Sequence, residues 1–209
     1  MRPLTIVGGV REAWSVWRRG RRKRLCARGA HPTWSSGPST SPLAAMLRRS
    51  VLFSFVVLLA VGAQSVPTPK AQCEELLNAV LPVAKKFLAA HGEFYPFGAS
   101  MKPDGQIVQT AAYDGREHPP SEPLIDLLRQ SFRAQAKDGA IIASATVYDV
   151  RTIPPGATDK TDAVAVELDH RDSYSVTVLF PYTIMAGTVQ FGPAFAHKGT
   201  FAIFGKHDG

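Results

Sequence analysis

Residues 163–180 constrain the fold more than any other part of this 209-residue chain. Apolar side chains fall at Val164, Val166 and Leu168, and again at Tyr174, Val176, Val178 and Phe180, with polar or small residues between them except for Leu179. Alternation with a period of two gives each strand one apolar face, and the break His170-Arg-Asp-Ser173 is turn chemistry. Strands joined so closely are antiparallel, and an isolated hairpin is marginal in water. A larger antiparallel sheet is required, and the neighbouring sequence supplies it.

Residues 140–150 are rich in Ile, Val, Thr and Tyr, and shorter strands are expected at 188–191 and 200–204. Upstream, residues 93–101 and 106–112 read as a strand pair joined by Lys102-Pro-Asp-Gly105, in which proline presets its own φ and glycine accepts a positive one. Pro96 marks the first of them as an edge strand or a bulge. Two other stretches carry helical spacing. Apolar residues recur at 73, 76, 77, 80, 84, 87 and 88, with Pro82 expected to kink or split the helix near Leu81 and Gly92 to end it. Ser121 is expected to cap a second helix over 122–137, burying Leu124, Leu127, Leu128 and Phe132 and leaving Arg129, Arg133 and Lys137 solvated, with Gly139 closing it. The order α-β-β-α-β-β-β-β predicts an α+β domain: a mostly antiparallel sheet of five to six strands with two helices packed on one face. Its core should include Leu77, Val80, Phe87, Leu88, Leu128 and Phe132.

The charge places the boundary of that domain. The chain carries 24 basic and 17 acidic residues, a formal +7, which invites a nucleic-acid reading. Nine of the basic residues and one acid lie in residues 1–45, together with all three tryptophans and the run Arg18-Arg-Gly-Arg-Arg-Lys-Arg24. No apolar period persists there, so residues 1–45 read as a disordered extension from a start assigned too early. Met46-Leu-Arg-Arg-Ser then opens a signal peptide over 46–65: a short positive region, an apolar run over 51–61 and small residues before a cleavage point after Ala63 or Ser65. That run is shorter than the roughly twenty residues a membrane-spanning helix needs, so no stable span should remain after cleavage. The signal peptide makes the expected location periplasmic or secreted, and the expected mature domain, 66–209, is mildly acidic, which removes the electrostatic basis for nucleic-acid binding. Its single cysteine, Cys73, falls on the apolar stripe of the first helix and reads as a buried hydrophobe.

The most distinctive segment is His91-Gly-Glu-Phe-Tyr-Pro-Phe-Gly98. His91 and Glu93 could exchange a proton, but His91 also suits the dipole at a helix C-terminus, and Phe94 and Phe97 are expected on opposite faces of a strand. With Asp149-Val-Arg-Thr152, Asp162-Ala-Val-Ala-Val-Glu-Leu-Asp-His-Arg171 and Phe180-Pro-Tyr182, the segment resembles a family of small bacterial proteins that carry an HGEFYPFG-type motif and lack an assigned activity. The likeness covers most of residues 71–205 and brings no catalytic residues with it.

The remaining chemistry is sparse. His91, Asp114, Glu117, His118, Asp149, Asp169, His170 and Asp172 could ligate a metal, yet none follows a recognised ligand spacing, and no metal or cofactor is expected. Asp169-His-Arg-Asp172 reads as a solvated hairpin turn. There is no Gly-x-Ser-x-Gly elbow, phosphate loop or dinucleotide fingerprint, so no catalytic residue is assigned. Tyr95, Tyr113, Tyr148, Tyr174 and Tyr182 could form an aromatic patch on an outer sheet face. The sequence favours a non-catalytic binding module that engages another envelope protein. The alternative is a small enzyme or ligand carrier whose binding site draws on His91, Glu93 and Tyr95, with Asp149 and Arg151.

Overall fold

The computed structural model describes residues 5–8, 67–113, 116 and 119–205. The expected signal peptide, its cleavage point and most of residues 1–45 lie outside the described residues, as do Asp114, Glu117 and His118. In chain order the elements are β1 (Thr5–Gly8), α1 (Pro69–His91), β2 (Phe97–Met101), β3 (Ile107–Tyr113), α2 (Ser121–Lys137), β4 (Ala143–Thr152), β5 (Thr161–His170), β6 (Tyr174–Met185), β7 (Thr188–Phe191) and β8 (Phe195–Lys198). The strands form one antiparallel sheet in the spatial order β1-β3-β2-β4-β5-β6. The far edge of β6 is shared: β8 pairs with residues 176–179 and β7 with residues 182–185.

Antiparallel pairing and the α+β order are as the sequence predicts, and the sheet is wider. β8 replaces the strand expected at 200–204, which instead forms turns. β1 adds a strand from within residues 1–45: Thr5-Ile-Val-Gly8 lies along the outer edge of β3, and its three β-branched residues suit an extended ladder. Pro96 does not mark an edge, because β2 lies between β3 and β4. The strand begins one residue after it, so the ladder loses no donor. The Lys102–Gly105 turn forms as expected, with Gly105 at φ 84° and its N–H donating to the Lys102 carbonyl.

α1 runs unbroken through Pro82. Proline removes one backbone donor, and here it does so on the exposed side of the helix. The opposite stripe, Cys73, Leu76, Val80, Ala84 and Leu88, is fully buried against the sheet and holds the turns on both sides of Pro82 in place. Thr68 caps the start by accepting from the Ala71 N–H, and Gly92 ends it in the left-handed region at φ 77°. The second helix starts differently from expectation. Pro120 is its N-cap and makes no side-chain cap bond, and Ser121 is already its first residue.

The two helices do not share a face of the sheet. Phe97, Ala99 and Met101 of β2 pack with α1, and the Phe97 ring meets Phe87 edge-on at 6.3 Å. Gly98, between Phe97 and Ala99, instead faces Phe132 of α2. Successive side chains of a strand point to opposite faces, so α1 and α2 cover opposite sides. The composition of each face explains the choice. Toward α1 lie Ala145, Val147, Val164, Val166 and Leu168, a continuous apolar surface. Toward α2 lie Gly98, Ser100, Ser144, Thr146, Ala163 and Ala165, small enough for a helix to approach closely. Val80, Leu88, Leu128 and Phe132 are buried as predicted, while Leu77, Phe87 and Leu127 are half-buried. Phe94 and Phe97 share the α1 core with rings 5.8 Å apart, since alternation does not extend back before residue 97. Among the described residues, no helix is long and apolar enough to cross a membrane.

Candidate functional site

The residues singled out by sequence lie where α1 ends. The left-handed turn at Gly92 leads the chain across that end of the sheet, leaving Glu93 exposed and Tyr95 half-buried between the two packing layers. The half-buried His91 ring lies 6.5 Å from Phe87. Asp149 and Arg151 stand on β4 on the α1-facing side, and the register sets Arg151 directly opposite Asp162. Their ion pair, at 3.2 Å, is mostly solvent-exposed and contributes little to stability. Asp149 accepts a hydrogen bond from the Tyr182 hydroxyl, 3.1 Å and 3.0 Å from its two oxygens. Desolvation pushes the Asp149 carboxyl above its ordinary range, the Tyr182 bond pulls it back, and the charges of Asp162 and Glu93 push it up again. Asp149 is exposed, so solvent screens these effects. Burial and the neighbouring Asp149 raise the Tyr182 phenol, which therefore stays a neutral donor. Glu93, Asp149 and Arg151 thus gather at one end of the sheet, joined by Asp162 and Tyr182, while Tyr95 serves packing.

A second polar group occupies the α2-facing side of the sheet. The β4–β5–β6 register lines up two rows across three strands: Ser144, Asp169 and Ser175 in one, Thr146, Glu167 and Thr177 in the next. Each carboxylate of the central strand has a hydroxyl residue on either side. Glu167 is satisfied by Arg129 of α2, whose Nη2 lies 2.8 Å and 3.0 Å from its oxygens and whose Nε lies 3.3 Å away, and by the Tyr148 hydroxyl at 2.8 Å. Asp169 is 4% exposed; one of its oxygens accepts from the Ile203 N–H at 2.7 Å, and the other has no hydrogen-bond partner. Burial raises the Asp169 carboxyl against the opposing pull of the nearby Ile203, Phe204 and His170 amides, none of which completes a hydrogen bond to the second oxygen.

The chain after β8 covers this group as a strap. Ser175 Oγ accepts from the Phe201 N–H, Arg133 Nε donates to the Ala202 carbonyl, and Ile203 and Phe204 pack against the α2 layer. Any side chain at Gly199 would collide with Ser175. Beneath the strap lies a cavity of about 10 Å³ lined by both polar rows. A shallow groove of about 190 Å³ lies elsewhere, between Thr161, Pro181, Thr183, Gln190 and Phe191.

Several expectations change. Asp169-His-Arg-Asp172 is not wholly solvated: Asp169 and His170 are buried, and only Arg171 and Asp172 reach water. His170 Nδ1 accepts from the Asp172 N–H at 3.0 Å, so Nε2 carries the proton toward Gln72 Oε1 at 2.8 Å. The tyrosines form no shared outer patch. Tyr148 and Tyr182 face opposite sides of the sheet, and each donates to a carboxylate. Cys73 is buried, with its thiol pushed up to about 12 by desolvation, so it is unreactive. Sequence reasoning missed the Asp169 and Glu167 rows. The available signal was charge at alternate positions of β5, opposite its Val164, Val166, Leu168 face.

Among the described residues, no three metal-binding side chains converge. Fold and site define an α+β domain whose antiparallel sheet lies between one helix and a helix-plus-strap layer, with carboxylates held by internal partners on both faces. No protein-family model, curated protein or solved structure matches the chain, so the resemblance carried by residues 91–98 rests on those motifs alone.

Proposed function

We propose that this chain is an exported, non-catalytic binding module of the bacterial cell envelope, made with a signal peptide beginning at Met46, so that its mature form has β3 rather than β1 as the outer strand, and recognising another envelope protein. The observation that carries the reading is where exposed apolar surface collects. Ile153, Ile184 and Met185 are 49%, 38% and 57% exposed. Extending the β4–β5–β6 register beyond residues 152 and 181 brings all three to the same end of the sheet. Ile153 and Ile184 follow the α1-facing side of β4 and β6, where charged Arg151 and Asp162 give them a polar margin, while Met185 projects to the other side; apolar side chains beside charged ones are the usual composition of a recognition surface. The shallow groove opens at the same end, and its form suits a protein contact better than an enclosed metabolite.

The alternative, a small enzyme or carrier at His91, Glu93 and Tyr95, has one observation in its favour: the raised Asp149 carboxyl beside the Tyr182 hydroxyl. Capture from envelope extract with the purified chain separates the two. A stoichiometric partner lost on Ile184→Asp or Met185→Asp, yet retained on His91→Ala and Glu93→Gln, is the expected result. A small molecule that stays bound in native mass spectra and is lost on Asp149→Asn would overturn the binding reading.

A further inference from the structure

We propose that the cavity beneath the strap is a site for one monovalent cation of sodium type, bound by Asp169 Oδ1 with the hydroxyls of Ser144, Thr146 and Thr177 around it. Size is the first argument. About 10 Å³ admits a single water-sized particle, which excludes any organic ligand. The second is the vacant valence of Asp169, whose Oδ1 is buried and unpartnered beside that cavity while Oδ2 is taken by the Ile203 amide. A buried polar atom without a partner is destabilising, and a buried ionised one more so.

Charge then selects among occupants. The other carboxylate lining the cavity, Glu167, is neutralised by the forked contact with Arg129. Arg133 is directed to the Ala202 carbonyl rather than to a carboxylate. Asp169 therefore supplies one uncompensated negative charge. A water molecule would fill the space without neutralising it. A divalent ion would leave an excess positive charge in a buried site, and calcium normally takes six to eight oxygens with several carboxylates among them. The oxygen-only lining, with no imidazole or thiol, suits a hard ion rather than a transition metal. Because Gly199, Thr200, Ala202 and Ile203 form the other wall of the cavity, an ion there fastens the strap to β5 and β6.

The test uses the full chain at constant ionic strength, with sodium replaced stepwise by choline. Sodium should raise the thermal midpoint in a saturable way and broaden the ²³Na resonance. Amide exchange at Phe201 and Ile203 should slow roughly tenfold at a sodium concentration about ten times the dissociation constant. Thr146→Val and Thr177→Val keep the side-chain shape and remove one oxygen each. Each should move half-saturation to roughly tenfold higher sodium, the loss of about one hydrogen bond's worth of binding. Asp169→Asn should abolish the dependence; if that variant fails to fold, the two valine variants decide. Identical midpoints in sodium and choline would overturn the proposal in favour of a water or a proton on Asp169. Stabilisation by calcium but not sodium would overturn the charge argument, and unchanged half-saturation in both valine variants would remove the ion from this cavity.

Discussion

A Cβ placed on Gly98 would lie 2.6 Å from the Ala145 carbonyl oxygen and 2.8 Å from two ring carbons of Phe132, closer than a relaxed Cβ approaches either. Gly98→Ala should therefore push α2 outward or distort β2. Overpacking of this kind costs about 1–3 kcal/mol. That exceeds the ~0.4–1 kcal/mol gained by restricting the unfolded chain at a position whose φ is ordinary. Phe132 is fully buried, and Phe132→Leu should cost about 1–2 kcal/mol, less than the ~3–5 kcal/mol of truncation to alanine. In the double variant the shorter leucine yields the space that the new methyl group needs, while the carbonyl contact persists. The pair should then be less destabilised than the sum of its parts by about 1 kcal/mol. Phe87→Leu is the control, because Phe87 belongs to α1 on the other side of the sheet. Its effect should add to that of Gly98→Ala within about 0.5 kcal/mol. Urea unfolding of the full chain, followed by far-ultraviolet circular dichroism, reads every corner of both cycles. Additivity with Phe132→Leu, or coupling with Phe87→Leu instead, would show that the helices are assigned to the wrong faces.

Three further outcomes follow from individual contacts. His170 is buried as the neutral tautomer, and burial lowers its pKa below the ordinary 6.5, with Asp172 opposing the shift. A lowered folded-state value means that the unfolded chain binds the proton more readily. Stability is then fully present above about pH 6.5 and is lost as pH falls below it, so the urea midpoint should drop between about pH 7.5 and 5.5 and drop less in His170→Gln. Tyr148→Phe removes one of the bonds to Glu167 while Arg129 keeps the charge paired, so it should cost about 1 kcal/mol in the same unfolding assay; no change would mean that the bond is not formed in solution. Intact-mass analysis of protein from the native host should find a mature chain beginning at Gln64 or Val66, and a secreted species still carrying Trp14 and Trp34 would refute early removal of residues 1–45.

How much could be read from the sequence depends on how far each signal is local. The hairpin of Val164 to Phe180, the Pro-Asp-Gly turn and the stripe from Cys73 to Leu88 are set by neighbours a few residues apart, and all formed where their spacing put them. Pro82 misled because its effect on a helix depends on which side of the helix it lies and on what the opposite side is packed against. The two-sided covering of the sheet misled for a related reason. One face of β5 announces itself by Val164, Val166 and Leu168, and its other face, Ala163, Ala165, Glu167 and Asp169, resembles a solvated surface until Arg129 and the strap are placed over it. Of the site residues, Asp149 could be singled out from its segment, but its partner Tyr182 lies 33 positions away and only the strand register joins them. The Asp169 row is less legible still, since it needs three strands in register and a strap from the chain's last described residues.

The two layers on the sheet are consequently held by different physics. α1 is fixed mainly by apolar area, a non-directional attraction that tolerates small shifts of the helix, with His170 to Gln72 and a long bond from Gln109 to the Ala79 carbonyl as its directed contacts. α2 and the strap combine a smaller apolar contact with directed bonds: Arg129 to Glu167, Arg133 to Ala202, Asp169 to Ile203 and Ser175 to Phe201. Replacing a buried ionic network by apolar residues is often neutral for stability, whereas removing one partner from it is costly. These bonds are better understood as fixing where α2 and the strap sit than as the source of the domain's stability. The layer that gives way first should thus be the strap, whose hold depends on a few polar bonds and on whatever occupies the cavity below it, while the α1 layer should open only with the whole domain.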